Sequence, residues 1–292
     1  MTQPAVDPVL VTGAAGGAQG STGRLVARDL LARGESVRAF VRSDDARAAE
    51  LRAEGAEVRV GDLREITSVM PALHGVRRVF FTYPVTAGML DAAAVTAAAA
   101  RRCGAERVVD VSQLAADPNA GTPHMRRHWV AEQAFERAEV GAVHLRAAVF
   151  FENLAVLADA GDGRELALPL GSPDTMLPLV AAEDVARVAA GILADRGAVD
   201  PVVLLTGDVM SIGEAADAFG LRYTDIDPDE WRARAEVLYR DDVTVEHLSD
   251  LWALFKAIGG GHDLYQVTES IGRFGARPPL ILREFTSARR AP

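Results

Sequence analysis

Lysine is almost missing from this 292-residue chain: Lys256 stands alone, and every other residue among its 31 basic ones is an arginine. Chemistry that needs a lysine beside a tyrosine is therefore excluded. The four tyrosines, Tyr83, Tyr223, Tyr239 and Tyr265, are followed four residues later by Ala87, Asp227, Val243 and Glu269. Cysteine is equally scarce. With Cys103 alone, the chain forms no internal disulfide and no cysteine-rich metal site, which suits a reducing compartment. Net positive charge is lacking too: the formal charge is −10, which excludes a broad phosphate-neutralising surface for nucleic acid. Long apolar runs are absent. The longest, Leu90 to Ala100, is alanine-rich and far short of a membrane span. Residues 1–8 are polar, with no basic stretch ahead of an apolar core, so no signal peptide is expected. These absences predict a cytoplasmic protein with a small-molecule substrate, no nucleic-acid or membrane partner, and a monomeric or homodimeric state.

What is present is ordinary for a globular enzyme, 49% hydrophobic and 25% charged. One stretch stands apart. Val9-Leu10-Val11 is a short apolar run that breaks into Thr12-Gly13-Ala14-Ala15-Gly16-Gly17-Ala18-Gln19-Gly20-Ser21-Thr22-Gly23, and an amphipathic segment, Arg24 to Arg33, follows at once. This pattern reads as a buried parallel strand, a glycine-rich turn and a helix whose free N–H groups and dipole suit a pyrophosphate. Gly17-x-x-Gly20-x-x-Gly23 has the spacing of a dinucleotide loop, but Gly13 and Gly16 lie upstream of it. The turn is thus about three or four residues longer than a minimal one.

A second strand, Ser36 to Val41, ends at Arg42, where dinucleotide folds read the adenosine ribose. An arginine there pairs with a 2′-phosphate, so NADP(H) is favoured over NAD(H), with Arg47 as a second contact. Asp44 and Asp45 nearby weaken that case. A third strand, Glu57 to Val60, leads to Asp62-Leu63. Asp62 there either accepts from an adenine amino group or caps a helix over Arg64 to Leu73. A fourth strand, Val76 to Thr82, breaks at Tyr83-Pro84, and an alanine-rich helix follows from Met89 to Cys103. A fifth strand, Arg107 to Ser112, ends in a hydroxyl and Gln113. Next come a helix from His124 to Ala138, a sixth strand over 143–146, and an apolar turn, Ala147 to Leu154, carrying Phe150, Phe151 and Asn153. Gly161 to Gly171 reads as a loop or hairpin, Met176 to Val180 as extended, and Glu183 to Leu193 as a helix. Val202 to Leu205 is the last core strand, and Ser211 caps a helix ending at Phe219. A helix starts at Pro228, and the remainder is helical with a proline-bearing break.

The alternation of strands and helices predicts an α/β, doubly wound parallel sheet with a smaller C-terminal mixed lid. Residues 1–154 form the dinucleotide-binding core, completed by 178–206. Residues 155–177 and 207–292 form the lid over a substrate cleft.

Several segments together carry a family resemblance. They are Val11 to Gly16, Phe40-Val41-Arg42, Val60-Gly61-Asp62, His128 with Glu132, Leu145 to Asn153, Val180 to Ala186, and Arg277-Pro278-Pro279 with Phe285. On these the chain resembles the NmrA-like group of atypical short-chain dehydrogenases/reductases over nearly its whole length. The resemblance implies a Rossmann fold, NADP(H) binding and a small C-terminal part closing a cleft. The group holds both NADPH-dependent reductases and proteins that sense nicotinamide redox state.

Short-chain dehydrogenases place a serine at the end of the fifth strand and a Tyr-x-x-x-Lys pair on the next helix. Ser112 fills the first role, and His124-x-x-x-His128 occupies the slot of the missing pair on one helical face. An imidazole titrates near neutrality and can give a proton. The candidate catalytic residues are therefore His128, His124, Ser112 and Tyr83. Cofactor contacts are expected from Gly13, Gly16, Gly17, Gln19, Gly20, Ser21, Thr22, Arg42, Asp62, Leu63, Thr82, Tyr83, Pro84, Val111, Ser112 and Phe150. The substrate is expected against Gln113, Phe151, Asn153 and Trp231, with Leu238, Leu251, Trp252 and Phe255 as further wall. No third metal ligand is evident, so no metal is expected. The expected function is NADPH-dependent reduction of a conjugated or quinone-like small molecule by hydride transfer. A non-catalytic NADP(H)-binding redox sensor and a non-redox isomerase or cyclase stay open beside it.

Overall fold

The computed structural model describes residues 7–17, 21–161, 163–195 and 197–290. In its first half strands and helices alternate strictly: β1 (Val9–Val11), α1 (Thr22–Ala32), β2 (Val37–Val41), α2 (Ala46–Ala53), β3 (Glu57–Val60), α3 (Ile66–Ala72), β4 (Arg78–Phe81), α4 (Met89–Cys103), β5 (Arg107–Gln113), α5 (Pro123–Arg137) and β6 (Ala142–Ala147). The second half is mixed. It comprises β7 (Val149–Phe150), α6 (Phe151–Ala160), β8 (Glu165–Leu168), β9 (Met176–Val180), α7 (Ala182–Ala194), β10 (Val202–Leu205), β11 (Asp208–Ser211), α8 (Ile212–Phe219), β12 (Arg222–Asp225), α9 (Pro228–Tyr239), α10 (Asp242–Ile258), α11 (Ser270–Gly275) and α12 (Leu282–Arg290).

Seven strands form one parallel sheet in the order β10-β6-β5-β4-β1-β2-β3. Chain progress reverses between β1 and β4, and ligands of such sheets lie beyond the strand ends at that switch point. Helices cover both faces, which is why β1 and β4 are buried along their whole length and read as continuous apolar runs. Only the edge strand β3 is largely exposed. On one face α1, α2 and α7 pack against Val9, Val11, Val37 and Ala39. On the other, α3, α4 and α5 pack against Leu10, Val79, Phe81 and Val108. The alanines of α4 let it lie close to the sheet, and Gly104 closes it in the left-handed region (φ 74°).

A second core lies past β6. Phe151 and Leu154 of α6, Leu166 and Leu168 of β8, Ile212 and Ala216 of α8, Trp231 of α9 and Trp252 of α10 enclose it. Two small sheets support this part, β11-β9-β7 and β12-β8. The short helix α11 belongs elsewhere. Ile271 joins the α1–α7 side of the main core, and the Phe274 carbonyl lies so close to Gly191 of α7 that any Cβ there would overlap it.

Three sequence expectations are corrected here. Residues 147–154 are not an apolar turn but β7 and the first turn of α6, since Phe151 and Leu154 fall three apart and both bury in the second core. The described residues of 161–171 form no hairpin: β8 pairs in parallel with β12, which arrives more than fifty residues later. Asp62 does not cap α3, whose N-cap is Glu65; its carboxylate accepts instead from the backbone N–H and guanidinium of Arg64.

Candidate active site

The site grows from the C-terminal ends of β1, β4, β5 and β6. Thr12 locks two of these ends together, its hydroxyl donating to the Thr82 carbonyl (2.9 Å) and accepting from the Thr82 N–H (2.8 Å). Gly13 follows with φ 64°, and a Cβ there would press into the Thr82 side chain. Gly23, in the first turn of α1, sits so tightly on the Thr12 carbonyl that a Cβ would overlap it. The start of α1 is therefore held against the end of β1. Among the described residues Ser21 gives that helix no side-chain cap and its first turn carries no acidic residue, so its N–H groups and dipole favour an anion. Gly17 has open space where its Cβ would be. This cradle suits a pyrophosphate.

A cavity of about 370 Å³ starts at Gly13, Gly16, Gly17 and Thr22 and runs past Thr82, Tyr83 and Pro84 on one side and Val111, Ser112 and Gln113 on the other. Ala147, Ala148, Phe150 and Asn153 floor it, and α10 closes it with Thr244, His247, Leu248, Leu251 and Phe255. The Thr244 hydroxyl donates to the Val85 carbonyl (2.7 Å), which ties α10 to the loop after β4. Gln113 presents a buried side-chain carbonyl oxygen with no hydrogen-bond partner among the described residues. A buried amide left without a partner is costly, and a carboxamide ligand would satisfy it.

Ser112, at the end of β5, donates to Glu132 Oε1 at 2.5 Å, and Arg146 of β6 grips the same carboxylate through two bonds, 2.9 and 2.7 Å. Thr122 caps α5 by accepting from the Met125 N–H, with Pro123 in the first turn. The spacing then sets His124, His128 and Glu132 along one side of the helix. His124 and His128 meet edge-to-face, ring centres 4.8 Å apart, and His247 from α10 lies 4.2 Å from His124. His124 is only 3% exposed, and neither of its ring nitrogens has a partner among the described residues. Burial, reinforced by Arg127, pushes its pKa down to about 4. Burial and then His124 push His128 down to about 3, and burial holds His247 well below its ordinary value. All three rings are neutral at physiological pH.

Tyr83 lines the same cavity, and its hydroxyl donates to the Ala87 carbonyl (3.3 Å). Arg42 is exposed at the end of β2, with no hydrogen bond or ion pair among the described residues. Arg47 is engaged by Asp45 and by the Gly16 carbonyl (3.0 Å), which makes it a brace for the loop. Asp62 is pushed down to about 2, chiefly by its hydrogen bonds from Arg64. Asp62 and the half-buried Leu63 stand past the end of β3 and, like Arg42, do not line the cavity. Ser21 is half-buried at the start of α1, while Gln19 and Gly20 lie outside the described residues.

Two expected substrate contacts fall elsewhere. Phe151 is fully buried against Phe285 in the second core, because the first turn of α6 turns it away from the cleft. Trp231 packs edge-on to Trp252, and its indole N–H donates to Ser249. Leu238 is exposed, and of the apolar residues expected as wall only Leu251 and Phe255 reach the cavity. His247 is the residue that sequence reasoning missed. A periodic face was legible in Thr244, Leu248, Leu251 and Phe255, and His247 shares it.

The profile of the NAD(P)H-binding family matches residues 17–196. Over 285 residues the chain is 27% identical to an NAD(P)H azoreductase of Xenophilus azovorans, covering 94% of this chain and 96% of that protein. Among solved structures it is similar to an NADPH-dependent quinone oxidoreductase of Escherichia coli complexed with NADPH (TM-score 0.82, 21% identity, 97% and 100% of the two chains). It is also similar to the Citrobacter triphenylmethane reductase complexed with NADP(H) (TM-score 0.77, 19% identity, 96% and 99%). At these identities the two structures show the fold: a parallel, Rossmann-type sheet with flanking helices.

Proposed function

The chain belongs to the NAD(P)H-binding family, and from that premise we propose that it reduces quinone-like or dye-like conjugated small molecules with NADPH. One observation carries the reading. A single cavity joins the glycine cradle to the apolar face of α10, so a dinucleotide and an aromatic acceptor can share one cleft. The azoreductase, quinone oxidoreductase and triphenylmethane reductase among its relatives act on acceptors of this kind.

Gly13, Gly16, Gly17 and Thr22 hold the pyrophosphate, Arg42 pairs a 2′-phosphate, and Asp62 is the residue read as the adenine contact. Thr82, Tyr83, Pro84, Val111, Ser112, Gln113 and Phe150 line the nicotinamide half. When bound, the reduced nicotinamide supplies a hydride. Leu248, Leu251 and Phe255 exclude water and give an apolar ring its contact surface, and Asn153 offers a polar contact at the floor. Ser112, its hydrogen committed to Glu132, offers the cleft an acceptor. His124, His128 and Tyr83 are the candidate proton donors to the reduced acceptor.

A second reading is favoured by the same imidazoles. Being neutral, they hold no spare proton at physiological pH, as expected of an NADP(H)-binding sensor without catalysis. NADPH consumption across a panel of quinones, enones and azo dyes separates the two. Oxidation with at least one class supports the reductase. Steady absorbance with every acceptor, alongside tight cofactor binding, leaves the sensor or a non-redox enzyme.

A further inference from the structure

Three imidazoles meet at the end of the cleft, and only two of them come from the dinucleotide-binding half. His124 and His128 stand on α5, while His247 arrives from α10 across the cavity. Both ring nitrogens of His124 and Nδ1 of His247 are buried without a partner among the described residues. Buried donors and acceptors are ordinarily paired, so a cluster open to a cavity in this way is built to be completed by a ligand.

The ligand's charge follows from the surroundings. The charged group whose field reaches the cluster is Arg127, which acts on His124 and His247, and no carboxylate perturbs any of the three rings. The other titratable groups on the cavity wall do not perturb the three rings. Tyr239 of α9 is pushed up to about 12 by burial, Glu152 of α6 is held on the Ala182 N–H, and Tyr83 bonds to Ala87. The rings pack against one another, and no group of three metal-binding side chains occurs among the described residues. The remaining wall (Met125, Val156, Leu248, Leu251) is apolar.

We propose that His124, His128 and His247 form the polar terminus of the acceptor site, and that they bind the anionic oxygen of an aromatic acid or phenolate while taking a proton from water. The proposal rests on the cleft being an acceptor site. An anion entering a desolvated, uncharged cluster meets only the field of Arg127, and a proton drawn onto one imidazole adds a counter-charge in direct contact as a charge-assisted hydrogen bond. An opposite charge within about 4–6 Å raises an imidazole's proton affinity by roughly 1–3 pH units, enough to protonate the cluster in mildly acidic buffer.

Binding alone tests this. The full chain saturated with NADP⁺, which transfers no hydride, is titrated calorimetrically near pH 6 with lawsone, an ionised hydroxynaphthoquinone, and with menadione, its uncharged methyl counterpart. Comparing heats in buffers of low and high ionisation enthalpy counts protons. Lawsone should take up about half to one proton per site, and menadione none. His247→Gln should weaken lawsone by about tenfold or more, the worth of a hydrogen bond to a charged group, with menadione nearly unchanged. The His124→Gln/His247→Gln double variant should abolish the uptake. Lawsone that binds without proton uptake, or fails to bind wild type, overturns the proposal whether or not the variants fold. Equal loss of both quinones in a folded variant overturns it too. Uptake with lawsone alongside no NADPH oxidation by any quinone, enone or azo dye of the panel sinks the reductase reading and keeps this site. Menadione reduction without lawsone uptake does the reverse.

Discussion

The hydroxyl of Ser112 donates its one hydrogen to Glu132 Oε1 at 2.5 Å, and the guanidinium of Arg146 holds both oxygens of that carboxylate. Glu132 is fully buried, so these two partners are what satisfy its oxygens. The consequence for the cleft is directional. With that hydrogen committed, Ser112 lines the cleft as an acceptor, and in the proposed function it meets a donor such as a ribose hydroxyl rather than polarising a carbonyl.

Glu132→Gln should therefore do two things. It frees the Ser112 hydrogen and leaves Arg146 without its counter-charge. The lost charge-assisted bonds are worth about 1.5–3 kcal/mol; because Arg146 is partly exposed, the loss should fall toward the lower end. Chemical denaturation measures it. Ser112→Ala removes one bond and leaves the ion pair, so it should cost about 1 kcal/mol.

In the proposed function Arg42 sets the choice between cofactors, by pairing a 2′-phosphate. Among the described residues it makes no hydrogen bond or ion pair, though its charge reaches Asp62, and Arg47, the other candidate, is already engaged by Asp45 and Gly16. Arg42→Ala should weaken NADP(H) by roughly 10–100-fold, the worth of a charge-assisted pair, and leave NAD(H) within about threefold. Fluorescence titration of both reduced cofactors checks this. An unchanged ratio would show that the 2′-phosphate is read elsewhere.

Much of this architecture was legible before any coordinates. Val9 to Gly23 announced the first βα unit, since a short apolar run breaking into glycine has few other uses. Met89–Cys103, Met176–Val180, Val202–Leu205 and the Ser211 cap fell where composition and periodicity put them. What stayed hidden depends on distant partners. The pairing of β8 with β12 joins segments whose contact no local pattern reveals. Phe151 and Trp231 looked like cleft residues because an aromatic beside a site is indistinguishable in sequence from one in a neighbouring core. His247 escaped for the same reason: its meeting with His124 is set by how α10 lies over α5, not by spacing along either helix.

Stability should fall in mild acid. The ordinary value for histidine is 6.5, and His124 is held at about 4 in the fold. Above pH 6.5 neither the folded nor the unfolded chain protonates this ring, and it adds no pH dependence. Between 6.5 and about 4 the unfolded chain binds a proton that the folded chain refuses, so stability drops as pH falls, by at most about 1.4 kcal/mol per pH unit. Thermal melts of wild type and His124→Gln across this window isolate the effect. The wild-type profile should slope more steeply, and parallel profiles would mean the ring is not held neutral. The buried Asp110–His144 pair, with His144 raised, is common to both proteins and cancels in the comparison.

The source of the proton in the proposed reduction is decided by kinetics at saturating NADPH. Losing a general acid costs about 10²–10⁴-fold in rate, whereas losing a cofactor contact mainly weakens affinity. His124 and His128 lie in the cleft but are neutral at physiological pH, so either one gives a proton readily only in acid or after taking one up with the acceptor. Tyr83 lies across the cavity on the β4 loop, its hydroxyl hydrogen resting on the Ala87 carbonyl. Single-turnover reduction of menadione should then be compared for wild type, His124→Ala, His128→Ala and Tyr83→Phe. A histidine donor predicts a loss of about 10²-fold or more in one histidine variant, with the acid rise in rate abolished. If both histidine variants keep the wild-type rate and pH profile while Tyr83→Phe collapses it, the proton comes from the β4 loop. If all three react at the wild-type rate, the acceptor stabilises its own anion and water protonates it afterwards. A quinone favours that last course, because its two carbonyls already spread the negative charge that a simple ketone would leave on one oxygen. On this ground the histidine effect should shrink with quinones and grow with acceptors that have a single, less conjugated carbonyl.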